Sequence, residues 1–188
     1  DYAQEAMRFM GAAQAMSDEL NIQGVFTEDV MMRIEENMSN KDSLIDIVGS
    51  TYMDTDLYLQ DNERPVVAKA ILAGAWLEGL YIAVSLKTDS EQESQIWQKV
   101  GEQKPALGNL VRLLEDCKDA QFDSLLIDLR SLAKTFEAVK LDYESTKAVT
   151  DKASKRTTLG GNLNVLIDEK TYNQIKAQTI ALRNNITK

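Results

Sequence analysis

The residues of this chain best suited to chemistry lie on one apolar helix, at Glu78, Tyr81 and Ser85. Glu78 is the only formally charged residue between Lys69 and Lys87, and the helical turn of about 100° per residue places it on one face with Tyr81 and Ser85. Burial raises the pKa of a carboxylate, so Glu78 is a candidate acid–base or ligand-binding group. A structural role is expected instead, with an Arg, a Lys or a Tyr hydroxyl as partner, because an unpaired buried charge is costly.

The face of Glu78 also carries Ala70 and Gly74, whose small side chains predict close approach of a neighbouring helix. The available partners for its carboxylate are arginines on amphipathic helices: Arg33, Arg112 and Arg130. Trp76 lies on the opposite face and would mark a ligand or partner site if exposed, although packing beneath a neighbouring helix is expected. The candidate ligand-binding residues are therefore Glu78, Tyr81, Ser85 and Trp76.

Histidine is absent and cysteine occurs once. These two facts exclude Ser-His-Asp and Cys-His catalysis within the chain, His-ligated metal or haem, and an internal disulfide. Cys117 is expected to be a buried or half-buried structural residue. The sequence predicts no cofactor.

Two weak motifs have better structural explanations. Asp54, Asp56 and Asp61 suggest a calcium loop, but Leu59 occupies the position where an EF-hand requires glycine, so a solvated helix face is expected and no metal site is predicted. Residues 131–134 match S-x-x-K, but the companion S-D-N and K-T-G motifs are missing. No catalytic residue is assigned.

The charge balance argues against a nucleic-acid partner. Lys and Arg number 21 against 30 Asp and Glu, which gives a net charge of −9. The densest basic group is Lys152, Lys155 and Arg156, which is too small for a phosphate-binding surface. An acidic chain is also repelled by anionic lipid.

Hydrophobic periodicity predicts an all-α protein, an antiparallel bundle of about six or seven helices in a single domain over 1–188. Only 2 prolines and 9 glycines interrupt the chain. The predicted helices are 2–20, one capped by Thr27, one ending near Asp61, the central helix from Pro65, one from about 91 that kinks at Pro105, one over 122–139, and a last one capped by Asp168.

The central helix and the segment after residue 140 complete the predicted architecture. The apolar run 70–86 is slightly short for a membrane span and contains a charged residue, so it is interpreted as the buried hub of the bundle. Residues 141–163 are polar and aperiodic, which predicts one long irregular connection. Alternation over 162–167 predicts a short extended stretch.

Several strings together resemble uncharacterised lipoproteins of Bacteroidetes: residues 40–47 (NKDSLIDI), 73–83 (AGAWLEGLYIA), 62–65 (NERP) and 180–186 (IALRNNI). The resemblance implies an all-helical fold and no assigned activity. It also implies a signal and a lipidated Cys upstream of Asp1, a location in the periplasm or outer membrane, and membrane contact only through that anchor.

The leading interpretation is a non-catalytic cell-envelope lipoprotein that acts as a scaffold or binding module, with a protein or small molecule as its unidentified partner. The first alternative is a small-ligand binding protein that uses the face of Glu78. The second is a carboxylate-based hydrolase, since paired Asp and Glu side chains can cleave glycosides.

Overall fold

A computed structural model describes residues 2–22, 27–87, 90–145, 149–151, 156–158 and 161–187. The fold is all-α, as predicted, with small antiparallel strand pairs. The chain divides into two compact units, Asp1–Ala70 and Ile71–Lys188. A single domain over 1–188 stays a prediction. Lys152 and Lys155, the two lysines of the basic group, lie outside the described residues.

The first unit contains α1 (Tyr2–Glu19), α2 (Glu28–Glu36), α3 (Lys41–Asp61) and the start of α4 (Pro65–Ser85). Local capping chemistry sets the helix starts. The Thr27 hydroxyl accepts from the amide of Val30 at 3.2 Å, and the Asn40 side chain accepts from the amide of Ser43 at 3.2 Å. The predicted cap at Thr27 and the predicted start at Pro65 are both confirmed.

The helix predicted over 2–20 is present as α1, but the apolar residues that recur along it at helical spacing are not buried where the structure describes them. Phe9, Met16 and Leu20 are exposed. The end of α1 is held instead by polar contacts: the Tyr58 hydroxyl donates to the Asn21 carbonyl at 3.2 Å, and Arg64 donates to the Leu20 carbonyl at 2.5 Å. A helical period shows that a face is apolar, but it does not show what covers that face.

The second unit contains the rest of α4, then α5 (Ser90–Gly101), α6 (Lys104–Cys117), a 3-10 turn (Ala120–Phe122), α7 (Asp123–Phe136) and α8 (Glu169–Ile186). α7 packs against both α6 and α8. The largest side chains that this unit buries almost completely are Phe136, Leu107, Leu114, Leu129, Leu132 and Ile175.

The prediction of one helix kinked at Pro105 is wrong, because α5 and α6 are separate helices. α5 ends at Gly101, and Pro105 lies in the first turn of α6, where its missing N–H costs nothing. Gln103 keeps α-helical angles of φ −76° and ψ −9°, which explains why the apolar phase continues across the break. The Lys104 ammonium donates to the Val139 carbonyl at 2.6 Å and fixes the start of α6.

The segment predicted as an irregular connection contains strands. β1 (Lys140–Ser145) pairs antiparallel with β4 (Gly161–Leu166), and β2 (Val149–Asp151) pairs antiparallel with β3 (Arg156–Thr158). The extended stretch predicted at 162–167 is confirmed as β4. Its partner β1 was not predicted, since only Leu141 and Tyr143 alternate with polar residues there.

The central helix α4 is less buried than a hub requires. Ala73, Leu77, Leu80 and Val84 form a buried stripe at helical spacing, but only 17% of the most apolar window is buried. By length and composition α4 is the one helix of the described chain that could cross a membrane. A core helix passes the same test, so this finding alone assigns no membrane role.

Gly101 is predicted to be intolerant of any side chain. A Cβ there would lie 2.3 Å from Val165 Cγ1, whereas a Cβ on Gly108 would meet nothing within 4 Å. We expect Gly101→Ala to lower the free energy of unfolding by about 1–3 kcal/mol through overpacking. The matched control Gly108→Ala, in an exposed helix interior, should raise it by about 0.5–1 kcal/mol. Urea denaturation measures both, and equal effects would contradict the close approach.

The cap of α8 predicts a pH dependence of stability. The Asp168 carboxylate accepts from the Thr171 amide at 2.7 Å, and this hydrogen bond lowers the pKa of Asp168 below its ordinary 3.8. Its contribution is therefore present above the unfolded pKa and is lost as the pH falls through the folded one. Between about pH 5 and pH 2 the urea midpoint of Asp168→Asn, which keeps an uncharged acceptor, should fall less than that of the wild type. Equal falls would argue against the cap.

Candidate functional site

Glu78 has a structural partner, as expected. The Arg183 guanidinium of α8 donates through Nε to Glu78 Oε2 at 3.0 Å and through Nη2 to Oε1 at 3.4 Å. The same guanidinium carbon lies 4.5 Å from the ring centroid of Tyr81, which is cation–π geometry. Ser85, the third residue predicted for this face, is exposed.

The identity of this partner was not predicted. Arg130 pairs with Glu115 at 2.8 Å, Arg112 donates to Asn109 within its own helix, and Arg33 lies in the last turn of α2. Arg183 follows fully buried Thr179 by one helical turn, so the sequence signal was a basic residue next to the apolar stripe of α8. That signal indicates that the Arg183 guanidinium is partly shielded from solvent, but it does not identify the helix that Arg183 contacts.

The Glu78–Arg183 pair is poorly suited to acid–base catalysis. The Glu78 side chain is 46% exposed and that of Arg183 32% exposed, so the deeply buried carboxylate expected from the sequence is not found. The hydrogen bond to Glu78 raises the pKa of Arg183 above its ordinary value, so the guanidinium stays charged. The arrangement is a fixed ion pair stacked on a ring, which positions α8 against α4.

The predicted close approach of a helix at Gly74 is wrong. Ala70 and Gly74 are both exposed, and a Cβ on Gly74 would meet nothing within 4 Å. Small residues allow close packing, but they do not by themselves recruit a neighbour.

An open groove lies on a different face of α4, beside Trp76. Its volume is about 320 Å³, and it is lined by Ala75, Trp76, Gly79, Leu80 and Ala83 of α4, by Lys99 and Val100 of α5, and by Gln103, which precedes α6. Leu80 and Val100 are buried and supply the inner apolar wall. The spacing of Ala75, Gly79 and Ala83 removes side-chain bulk from three successive turns and leaves the space open. This volume falls at the lower end of the range of ligand pockets, about 300–1,000 Å³.

Three residues that line the groove carry side-chain N–H groups: Trp76, Lys99 and Gln103. Trp76 Nε1 is shielded from solvent and has no hydrogen-bond partner among the described residues, so the groups open to a ligand belong to Lys99 and Gln103. Lys99 contributes an ammonium group, which contacts Glu102 at 2.8 Å, and Gln103 contributes an amide. The lining contains no carboxylate. An apolar molecule with a hydrogen-bond acceptor is complementary to these groups.

A stacked aromatic pair anchors the helix that forms the second wall. The rings of Trp97 in α5 and Tyr172 in α8 lie 4.8 Å apart between centroids, with 18° between their planes. Burial, together with the charge of Glu93, raises the pKa of Tyr172. Gln98 donates to the Leu163 carbonyl at 3.2 Å, which also ties α5 to β4. Trp97 therefore has a positioning role that the sequence did not indicate.

The remaining candidates have structural roles. Asp54, Asp56 and Asp61 lie within the continuous helix α3 rather than on a loop, so they lack the geometry of a calcium loop. Ser131 is on the exposed side of α7, where its hydroxyl accepts from Gln178 at 3.4 Å. Cys117 is half-buried, as expected.

Comparison of the chain with protein-family models, with curated proteins and with solved structures gives no match. The function of the chain must therefore be inferred from the geometry of the groove and of the ion pair.

The ion pair predicts non-additive stability effects. Glu78→Gln and Arg183→Gln should each lower the urea midpoint, and the double variant should lie above the value expected from their sum, because both changes remove the same interaction. Glu115→Gln combined with Arg183→Gln is the control, and its effects should add, since Glu115 pairs elsewhere. Additive effects for the Glu78 and Arg183 variants would contradict the pairing.

Proposed function

We propose that this protein is a non-catalytic binding module of the cell envelope, and that it holds a small apolar ligand with a carboxylate group in the groove beside Trp76. The observation that carries the proposal is the groove itself, a space of about 320 Å³ lined mainly by apolar residues together with Lys99 and Gln103. The apolar part of the ligand contacts Ala75, Gly79 and Ala83. Its carboxylate accepts from the Lys99 ammonium or from the Gln103 amide.

The groove is favoured over the face of Glu78 first chosen from the sequence. On that face the Glu78 carboxylate is occupied by Arg183, and the guanidinium covers Tyr81. A ligand there would have to break a bidentate ion pair. Beside Trp76, by contrast, the space is open, and the Lys99 ammonium, which has three donors, uses one on Glu102.

Catalysis by carboxylates is not favoured at this groove. Glycoside hydrolysis requires two carboxyl groups about 5–10 Å apart across one cleft, and the groove lining has none. The chain also has no histidine to serve as a general base at neutral pH. Binding without turnover is the activity that the residues of the groove support.

The proposed cellular location rests on the sequence resemblance rather than on the geometry of the groove. The strings at 40–47 and 73–83 resemble envelope lipoproteins, so we place the protein in the periplasm or outer membrane with a lipid anchor upstream of Asp1. Residues 73–83 include most of the groove residues of α4, so the same string carries both the resemblance and the proposed site.

The groove predicts that filling it abolishes binding. Gly79 lines the groove and Gly74 does not, yet a Cβ on either residue meets nothing within 4 Å. We expect Gly79→Leu to remove decanoate binding and Gly74→Leu to preserve it, because only the first side chain occupies the space. Titration calorimetry measures the affinity. Comparison of tryptophan fluorescence between the wild type and a Trp76→Phe variant shows whether a fluorescence change on binding comes from Trp76.

Decylamine provides the charge control for this titration. It has a similar apolar chain but a cationic head, so it should bind at least about tenfold more weakly than decanoate, a difference of about 1.4 kcal/mol. Equal binding of decanoate by the Gly79→Leu and Gly74→Leu variants would overturn the groove as the site. Equal affinity of decanoate and decylamine for the wild type would overturn the proposal that the ligand carries a carboxylate.

A further inference from the structure

The first unit exposes a large apolar surface along α3. Ile45, Val48, Met53 and Leu57 are each 56–65% exposed, and Tyr52 is 37% exposed. We call these five residues the α3 outer face. The same helix buries Ile47, Thr51 and Leu59. Ile47 and Thr51 lie on the opposite side, whereas Leu59 follows Tyr52 by seven residues and anchors the C-terminal end of the same side. Contiguous exposed apolar patches on soluble proteins mark interaction sites.

The charges that accompany this face have one sign. After Lys41, every charged residue of α3 is an aspartate: Asp42, Asp46, Asp54, Asp56 and Asp61. No ion pair found among the described residues uses any of them. Asp56 accepts a hydrogen bond from Gln60 at 2.6 Å, which leaves its charge uncompensated. At about 100° per residue Asp42, Asp46 and Asp56 fall within the arc of the five apolar residues, so uncompensated negative charge is interspersed with the apolar side chains of this face.

The shape of the face suits a helix. Ile45, Val48 and Tyr52 follow one another at spacings of three and four residues, which is the anchor pattern of helix recognition. Gly49 lies among them, and a Cβ there would meet nothing within 4 Å, so a partner helix can approach the backbone closely. Met53 adds a flexible side chain that adapts to the surface of a partner.

The negative charge of the α3 outer face distinguishes between its possible binding partners. A second copy of this chain would bring the same aspartates together, in a protein whose net charge is already −9, and an anionic lipid surface is repelled for the same reason. A helix with an apolar stripe flanked by Lys or Arg satisfies both the apolar face and the aspartates.

We propose that the α3 outer face docks a basic amphipathic helix from another protein. The inference goes beyond the small-ligand groove, because the two sites lie in different units and share no residue. It gives the binding module a macromolecular partner defined by its chemistry.

The test uses the full chain and a fluorescein-labelled Lys/Leu peptide of about 18 residues, long enough to form a helix. A Glu/Leu peptide of the same pattern is the charge-reversed control. In fluorescence anisotropy the wild type should bind the Lys/Leu peptide and not the Glu/Leu peptide, and rising salt should weaken the binding. Absence of binding to the Lys/Leu peptide, or equal binding of both peptides, overturns the proposal.

The surface is mapped by matched variants. Ile45→Ser combined with Met53→Ser should weaken Lys/Leu binding at least about tenfold, since two apolar anchors are removed. Ile127→Ser, a residue on α7 that is 66% exposed, should leave it unchanged. All three substitutions alter exposed side chains, and circular dichroism checks that the variants fold. Equal affinity of the α3 double variant and Ile127→Ser overturns the site.

Charge variants and assays for two alternative binding partners complete the test. Asp46→Asn combined with Asp54→Asn should weaken peptide binding at low salt, whereas Asp116→Asn with Asp142→Asn, on other elements, should not. Sedimentation of the wild type alone and flotation with phosphatidylglycerol vesicles examine self-association and lipid binding. Either process, if it is lost in the Ile45→Ser and Met53→Ser variant, would assign the face to that occupant and overturn the proposal.

Discussion

The second unit depends on the burial of α7 between α6 and α8. Leu129, Leu132 and Phe136 are almost completely buried along this helix, and each contributes apolar burial of about 1.5–3 kcal/mol. This packing fixes the position of α8, which carries Arg183 for the ion pair with Glu78 and Tyr172 for the stack on Trp97. The groove beside Trp76 is formed by α4 and α5, the two helices that these contacts hold.

The residues that start helices were predictable from the sequence, but the contacts between distant elements were not. Thr27, Pro65 and Asp168 start helices because their side chains act on amides or dihedrals within one turn. Arg183 was not identified as the partner of Glu78, because nothing in the sequence says which helices face each other. β1 was not predicted, because its alternation is short and its pairing with β4 is non-local.

At the candidate site, too, the sequence identified the important residue types but not their surroundings in the fold. The sequence singled out Trp76 and Glu78 on opposite faces of α4, and it favoured the polar face for ligand binding. The structure closes that face with a guanidinium and leaves open the face formed by Ala75, Gly79 and Ala83. The lysine at this groove comes from α5, and the amide comes from Gln103 just beyond its end. The position of α5 depends on a ring stack and on a contact to a strand. Neither contact has a local signature.

The Glu78–Arg183 pair also bears on the kinetics of folding. Its two residues are 105 positions apart in the chain, so their pairing is a long-range contact of the kind that slows folding when it must form early. The packing of α6, α7 and α8 links segments that lie much nearer in sequence and can form first. A contact that forms after the rate-limiting step does not speed folding but slows unfolding. We therefore expect the ion pair to form late in folding, so that its loss speeds unfolding more than it slows folding.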